Sequence, residues 1–154
     1  MIVIDFETRS RVNLKRTGAS VYARDASTEV LCLAYRIGDG KPHLWMKGNN
    51  PPDVLLAMVE QGEPICAHNV FFERNIWRHV CHERYGWPDV PFNSWRCTMA
   101  QACRLALPRG LADVGAALDL PVQKDDVGHK LMLKMCKPRE ARKDEDPAVN
   151  HWHE

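Results

Sequence analysis

Apolar and polar positions along this chain follow two rhythms, short β-branched runs and longer stripes of helical period. Ile2-Val3-Ile4 is a short apolar run ending at Asp5, the pattern of a strand buried on both faces whose end delivers side chains to a rim. A polar segment follows to about Thr17-Gly18. Residues 29–37 (EVLCLAYRI) read as a second strand, closed by the turn Gly38-Asp39-Gly40, and residues 43–46 as the returning hairpin strand. Pro51-Pro52-Asp53 opens a helix, and Val54, Leu55, Met58 and Val59 give it an apolar stripe up to Gln61-Gly62. Residues 64–67 form the next apolar strand, with His68-Asn69 at its end, and a helical stretch covers about 70–83. The chain breaks at Gly86-Trp87-Pro88 and Pro91. A short fifth strand is predicted at 95–97, then helices near 98–105, 111–118 and 126–136.

This order predicts an α/β domain over 1–136 whose sheet mixes antiparallel and parallel strands. The last segment, 137–154, is rich in charge and proline with almost no apolar periodicity, and reads as a loop or frayed tail. In open sheets of this kind sites collect at the carboxyl ends of parallel strands, where Asp5, Glu7, His68 and Asn69 fall.

Composition changes the picture little. A chain of 154 residues is about one domain, and 45% apolar with 27% charged residues is ordinary for a globular protein. The net charge of +1 neither demands nor excludes nucleic acid. Six cysteines lie without a C-x-x-C spacing and read as reduced, mostly packed thiols. No basic start precedes an apolar signal stretch, and nowhere do 18 apolar residues run together, so no membrane partner and a cytoplasmic location are expected.

Asp5 and Glu7 lie two apart, so in an extended backbone both carboxylates point to one face. Paired oxygen ligands of this kind suit Mg²⁺ or Mn²⁺. Two solvated acids at a strand end fit the same pattern. The stretch Ala67-His68-Asn69-Val70-Phe71-Phe72-Glu73 adds a polar strand end, two aromatics and an acid on a helix's first turn. Its structural alternative is Asn69 as a helix N-cap and Glu73 as an acid favoured by the helix dipole.

Asp5-Phe6-Glu7-Thr8-Arg9-Ser10 resembles the first exonuclease motif of phage-type DNA polymerases with a DnaQ-like domain, and His68-Asn69-Val70-Phe71-Phe72-Glu73 resembles their second. The stretch from Trp95-Arg96-Cys97-Thr98 through Leu107-Pro108 and Leu111 to Lys124-Asp125 and Leu131-Met132 is similar to the helices that follow. The resemblance implies a ribonuclease H-like fold, with three antiparallel strands plus parallel strands flanked by helices. It implies 3′-to-5′ proofreading hydrolysis of single-stranded or frayed DNA with two Mg²⁺ or Mn²⁺ ions, Asp5, Glu7 and Glu73 being both catalytic and metal-ligating. The second-motif acid is commonly Asp, so the longer Glu73 is expected to ligate less directly. Phe6, Thr8, Arg9, His68, Asn69 and Phe72 are the nucleic-acid contacts expected on the same grounds. Arg11, Lys15 and Arg16 add local charge, against a weightier reading of a solvated loop, and Phe71 and Phe72 each read first as core.

The family's third motif, a Tyr or His with an Asp four or five residues later on a late helix, has no match near the end of the chain. Tyr85-Gly86-Trp87-Pro88-Asp89 has the spacing but contains Gly and Pro and comes too early. Truncation of a longer polymerase, ligands from another chain, or a degenerate binding domain would each explain this. Truncation is the preferred reading, so weak or no activity is expected from these residues alone. The polymerase domain of the same or another chain is the expected partner, with a non-catalytic nucleic-acid-binding domain or a standalone RNA exonuclease as alternatives. The His79 and His82 pair, and His151 with His153, lack a second pair at zinc spacing. The five tryptophans are assigned to packing.

Overall fold

In the computed structural model, which describes residues 1–121, 125–146, 148–149 and 151–153, a five-stranded sheet runs in the order β3-β2-β1-β4-β5. The strands are β1 (Ile2–Arg9), β2 (Glu29–Ile37), β3 (His43–Met46), β4 (Ile65–Ala67) and β5 (Trp95–Cys97). β1, β2 and β3 pair antiparallel, while β4 joins β1 in parallel and β5 joins β4 in parallel. The mixed α/β sheet expected from the pattern is therefore present. Lys124 and Glu154 lie outside the described residues.

β1 differs from expectation in length. It continues past Ile4 to Arg9 because strict alternation resumes in a polar stretch: Phe6 and Thr8 follow Ile2 and Ile4 into the core, and Asp5, Glu7 and Arg9 stay outside it. Asp5 and Glu7 thus sit within the strand rather than at its end. Thr8 is accommodated inside because its hydroxyl meets that of Tyr22 at 2.9 Å.

The predicted polar segment after β1 is a helix, α1 (Leu14–Arg24). Asn13 caps it by accepting from the backbone N–H groups of Lys15 and Arg16 at 3.1 and 3.3 Å, and Ala19, Tyr22 and Ala23 form its buried stripe. Gly18, at φ 78°, interrupts the helical backbone, a conformation open to glycine.

The other helices are α2 (Asp53–Glu60), α3 (Val70–Ile76), α4 (Glu83–Tyr85), α5 (Thr98–Arg104), α6 (Leu111–Ala117) and α7 (Asp126–Met135). Between α3 and α4 the backbone widens into a π-helical segment, Trp77–His82. The core lies between one sheet face and α1, α2, α3, the π-helical segment and α4. It is dominated by Ile2, Ile4, Phe6, Leu33, Leu55, Ile65, Ile76 and Val80 with Trp45, Trp77, Trp87 and Trp95. Trp77 packs edge-on against Trp87 and Trp95, at 5.3 and 6.2 Å between ring centres.

In the tail, Arg139 bridges to His151 through the backbone, pairs with Glu145 at 2.5 Å, and leaves Trp152 beneath the guanidinium of Arg9, 4.6 Å from its carbon to the ring centre. No helix among the described residues is long and apolar enough to cross a membrane.

Candidate nucleic-acid and metal site

β4 pairs with β1 only at Ile2 and Val3, so the β1 residues from Asp5 onward run beyond the carboxyl end of β4. On the β2 side the register slips between Glu7 and Thr8, Glu7 facing Cys32 and Thr8 facing Val30. A bulge of this kind re-aims side chains locally and is common next to sites. After β4 the chain turns through Asn69 in the left-handed region (φ 66°) and enters α3, which carries Glu73 in its first turn.

Asn69 makes no side-chain capping bond, so the conventional N-cap explanation of that residue does not hold. Its strained backbone instead sets the angle at which α3 leaves β4.

Glu73 is 4% exposed, and its Oε2 is buried with no hydrogen-bond partner among the described residues. Burial pushes its carboxyl up to about 8; its own backbone N–H pulls the other way, and the charges of Asp5 and Glu7 raise it further. The structure thus brings the three predicted acids within electrostatic reach of one another. It does not gather them into a finished cage: among the described residues no three Asp, Glu, His or Cys side chains are arranged to hold a metal ion. The thiol of Cys32 lies on the same side of the sheet. Burial raises it first, and Glu7 and Asp5 add to the rise.

The donor set fits a hard divalent cation. An ionised carboxylate buried beside two others is costly unless positive charge accompanies it, and Glu73 has an oxygen that no donor among the described residues satisfies.

A groove of about 730 Å³ opens beside Glu7, lined by Phe6, Thr8, Arg11, Lys15, Tyr22 and Phe72, and closed by Met132 and Leu133 from α7 and Cys136 just after it. Arg11 and Lys15, with Lys137 across the groove, give it a positive rim, and Tyr22 and Phe72 pack at 6.1 Å along its wall. The sequence does not single out Tyr22, and it brings in Met132 only through the likeness of residues 131–132 to the helices that follow the two motifs. The signals present were the Ala19, Tyr22 and Ala23 spacing and the i, i+4 pair Met132 and Cys136.

The expected nucleic-acid contacts divide. Phe72 lines the groove and is half-buried. Phe6, although its edge reaches the groove, is 3% exposed and packs 6.2 Å from Trp77, which withdraws its face from base stacking. Thr8 spends its hydroxyl on Tyr22. Arg9 is engaged by Glu29 at 2.8 Å and by Trp152. The Nε2–H of His68 donates to the Arg109 carbonyl at 2.8 Å, which leaves Nδ1 facing the Thr98 hydroxyl at 3.1 Å, so His68 ties β4 to α5 and the loop beyond it. Asn69 is exposed. Phe71, expected in the core, is 53% exposed because the helix turns it away from Phe72.

The decoy Tyr85-to-Asp89 spacing has a structural explanation. Tyr85 packs on Trp45 and Trp87 while its hydroxyl accepts from Val30 N–H at 3.4 Å, and Asp89 accepts from the Val90 N–H. His79 and His82 are likewise engaged, with Glu83 and the Trp87 carbonyl.

No model of a known protein family matches the chain. The chain is similar to the DNA polymerase of Bacillus phage SP02, 34% identical over 145 residues, which cover 90% of this chain and 22% of that polymerase. The chain spans about a fifth of the length of that relative, and the match supports a relationship to a phage DNA polymerase over that stretch.

Proposed function

We propose that this chain is a DnaQ-like 3′-to-5′ exonuclease domain of proofreading type, acting on single-stranded or frayed DNA ends in association with a polymerase. The observation that carries it is the buried carboxyl of Glu73, with an unsatisfied oxygen, under the charges of Asp5 and Glu7. A related stretch within a phage DNA polymerase supports the same reading.

Asp5, Glu7 and Glu73 would hold the divalent ions, which when bound supply an activated water and neutralise charge on the scissile phosphate. The chain's own contribution is positional. Asp5 and Glu7 are held on one side of a strand that pairs in register with β2 from Ile2 to Glu7, and Glu73 on a helix start anchored in the core. Near neutral pH without a cation Glu73 keeps its proton, so ion binding must release it. The groove rim of Arg11, Lys15 and Lys137 offers the phosphates a path, and Phe72 and Tyr22 offer an apolar wall for a terminal base.

A non-catalytic nucleic-acid-binding domain is the second reading, favoured by the absence, among the described residues, of a preassembled cluster of metal ligands. A 5′-labelled single strand incubated with a large excess of the chain and Mn²⁺ separates the two. The exonuclease reading expects slow shortening from the 3′ end, abolished in Asp5→Asn. Binding of the strand with no shortening at any protein excess supports the second reading.

A further inference from the structure

A second cavity, of about 310 Å³, shares no lining residue with the groove. Arginines from three elements surround it: Arg24 from the last turn of α1, Arg74 from α3 and Arg78 from the π-helical segment. One carboxylate, Asp89, also lines it, with one oxygen accepting from the Val90 N–H at 2.9 Å. Among the described residues Arg24 and Arg74 form no ion pair. Arg24 uses its Nε–H on His79 Nε2 at 3.4 Å, and Arg78 reaches Glu83 only at 3.9 Å across exposed side chains.

The aromatic surroundings are equally specific. Arg74 lies over the ring of Phe92 at 4.6 Å and near that of Phe71 at 5.8 Å, and Phe92 is 77% exposed. A guanidinium attracted to a ring face by its charge still has N–H donors to offer a planar or tetrahedral anion. Trp77 and Trp95 form the inner wall, and among the described residues the buried Trp95 Nε1–H has no acceptor.

We propose that this cavity binds a nucleotide unit, its phosphate between Arg24 and Arg74 and its base against the exposed face of Phe92. The volume sits at the lower limit of small-ligand pockets, which suits one phosphate-sized group inside with the base on the rim. Paired arginine forks match phosphate oxygens, and a solvent-facing phenyl ring is a sequence-tolerant stacking platform. A free mononucleotide and one unit of a single strand share this chemistry. The assignment does not rest on the carboxylate site.

The test follows the tryptophan indole N–H signals of the ¹⁵N-labelled chain by NMR in EDTA, where no hydrolysis can occur. Deoxyadenosine monophosphate, an oligothymidylate and inorganic phosphate are titrated separately. The proposal expects the Trp95 and Trp77 indole signals to shift with the mononucleotide or the oligonucleotide, and Arg24→Gln and Phe92→Ser each to weaken binding about tenfold. A response to the oligonucleotide alone identifies a strand as the source, and saturation by the mononucleotide identifies free nucleotide. Because Phe92 is exposed, its variant retains the fold. Failure of both ligands to shift these signals, unchanged affinity in both variants, or inorganic phosphate binding as tightly as the mononucleotide would each overturn it.

Discussion

The hydroxyl of Thr8 meets that of Tyr22 at 2.9 Å, joining the core side of β1, one residue beyond Glu7, to a helix that polar sequence conceals. Both groups are buried, so removing one strands the other. Thr8→Val and Tyr22→Phe are each expected to cost about 1–2 kcal/mol. In the double variant no hydroxyl is left unpaired, and the loss should fall below the sum of the two singles. Urea denaturation of the four proteins measures this, and strict additivity would show that the contact carries no coupling.

Glu73 makes stability pH-dependent in an unusual direction. Its folded carboxyl titrates near 8 rather than at the ordinary 4.5, so the folded state binds the extra proton. The contribution is fully present below about 4.5 and is lost as pH rises toward 8. Without divalent cations, the wild type should lose stability over this range relative to Glu73→Gln, by a few kcal/mol. Thermal melts in EDTA across the interval provide the comparison, and parallel curves would contradict the burial of an uncompensated acid.

Phe6 and Phe71 offer opposite responses. Phe6→Ala empties a packed site beside Trp77 and should destabilise by about 3–5 kcal/mol. Phe71→Ser, on an exposed ring, should stay within about 0.5 kcal/mol. Equal effects in chemical denaturation would mean that α3 presents a different face.

Arg84 holds the turn between α1 and β2 by donating to the carbonyls of Ala23, Asp25 and Thr28 at 3.0, 2.9 and 2.8 Å. Lysine cannot reproduce that fork. Arg84→Lys is expected to cost about 1–2 kcal/mol and to speed amide exchange over residues 23–28. Exchange confined to other segments would argue against the role.

Much of this architecture was legible. Residues 29–37 carry a long apolar run with Val30, Tyr35 and Ile37, residues 43–46 and 95–97 are short segments marked by Trp45 and Trp95, and the strands occupy those limits. Alternation beyond Ile4 was hidden because one inward position is Thr8, polar in sequence yet buried through Tyr22. α1 was hidden by its basic start and Gly18, although Asn13 and the Ala19, Tyr22 and Ala23 stripe mark it. The acids Asp5, Glu7 and Glu73 were found by spacing and motif wording, but desolvation of Glu73 depends on packing that no local pattern encodes. The same limit applies to Arg9 and His68, whose polar groups are taken up by Glu29, Trp152, Thr98 and Arg109, residues 20 to 143 positions away in the chain.

Mn²⁺ binding followed by electron paramagnetic resonance asks whether Asp5, Glu7 and Glu73 form a divalent-cation site. Saturable binding is expected, strengthening as pH approaches about 8, where Glu73 gives up its proton, and weakening at least tenfold in both Asp5→Asn and Glu73→Gln. Binding unchanged by both substitutions, or no saturable binding in the folded wild-type chain, would contradict it.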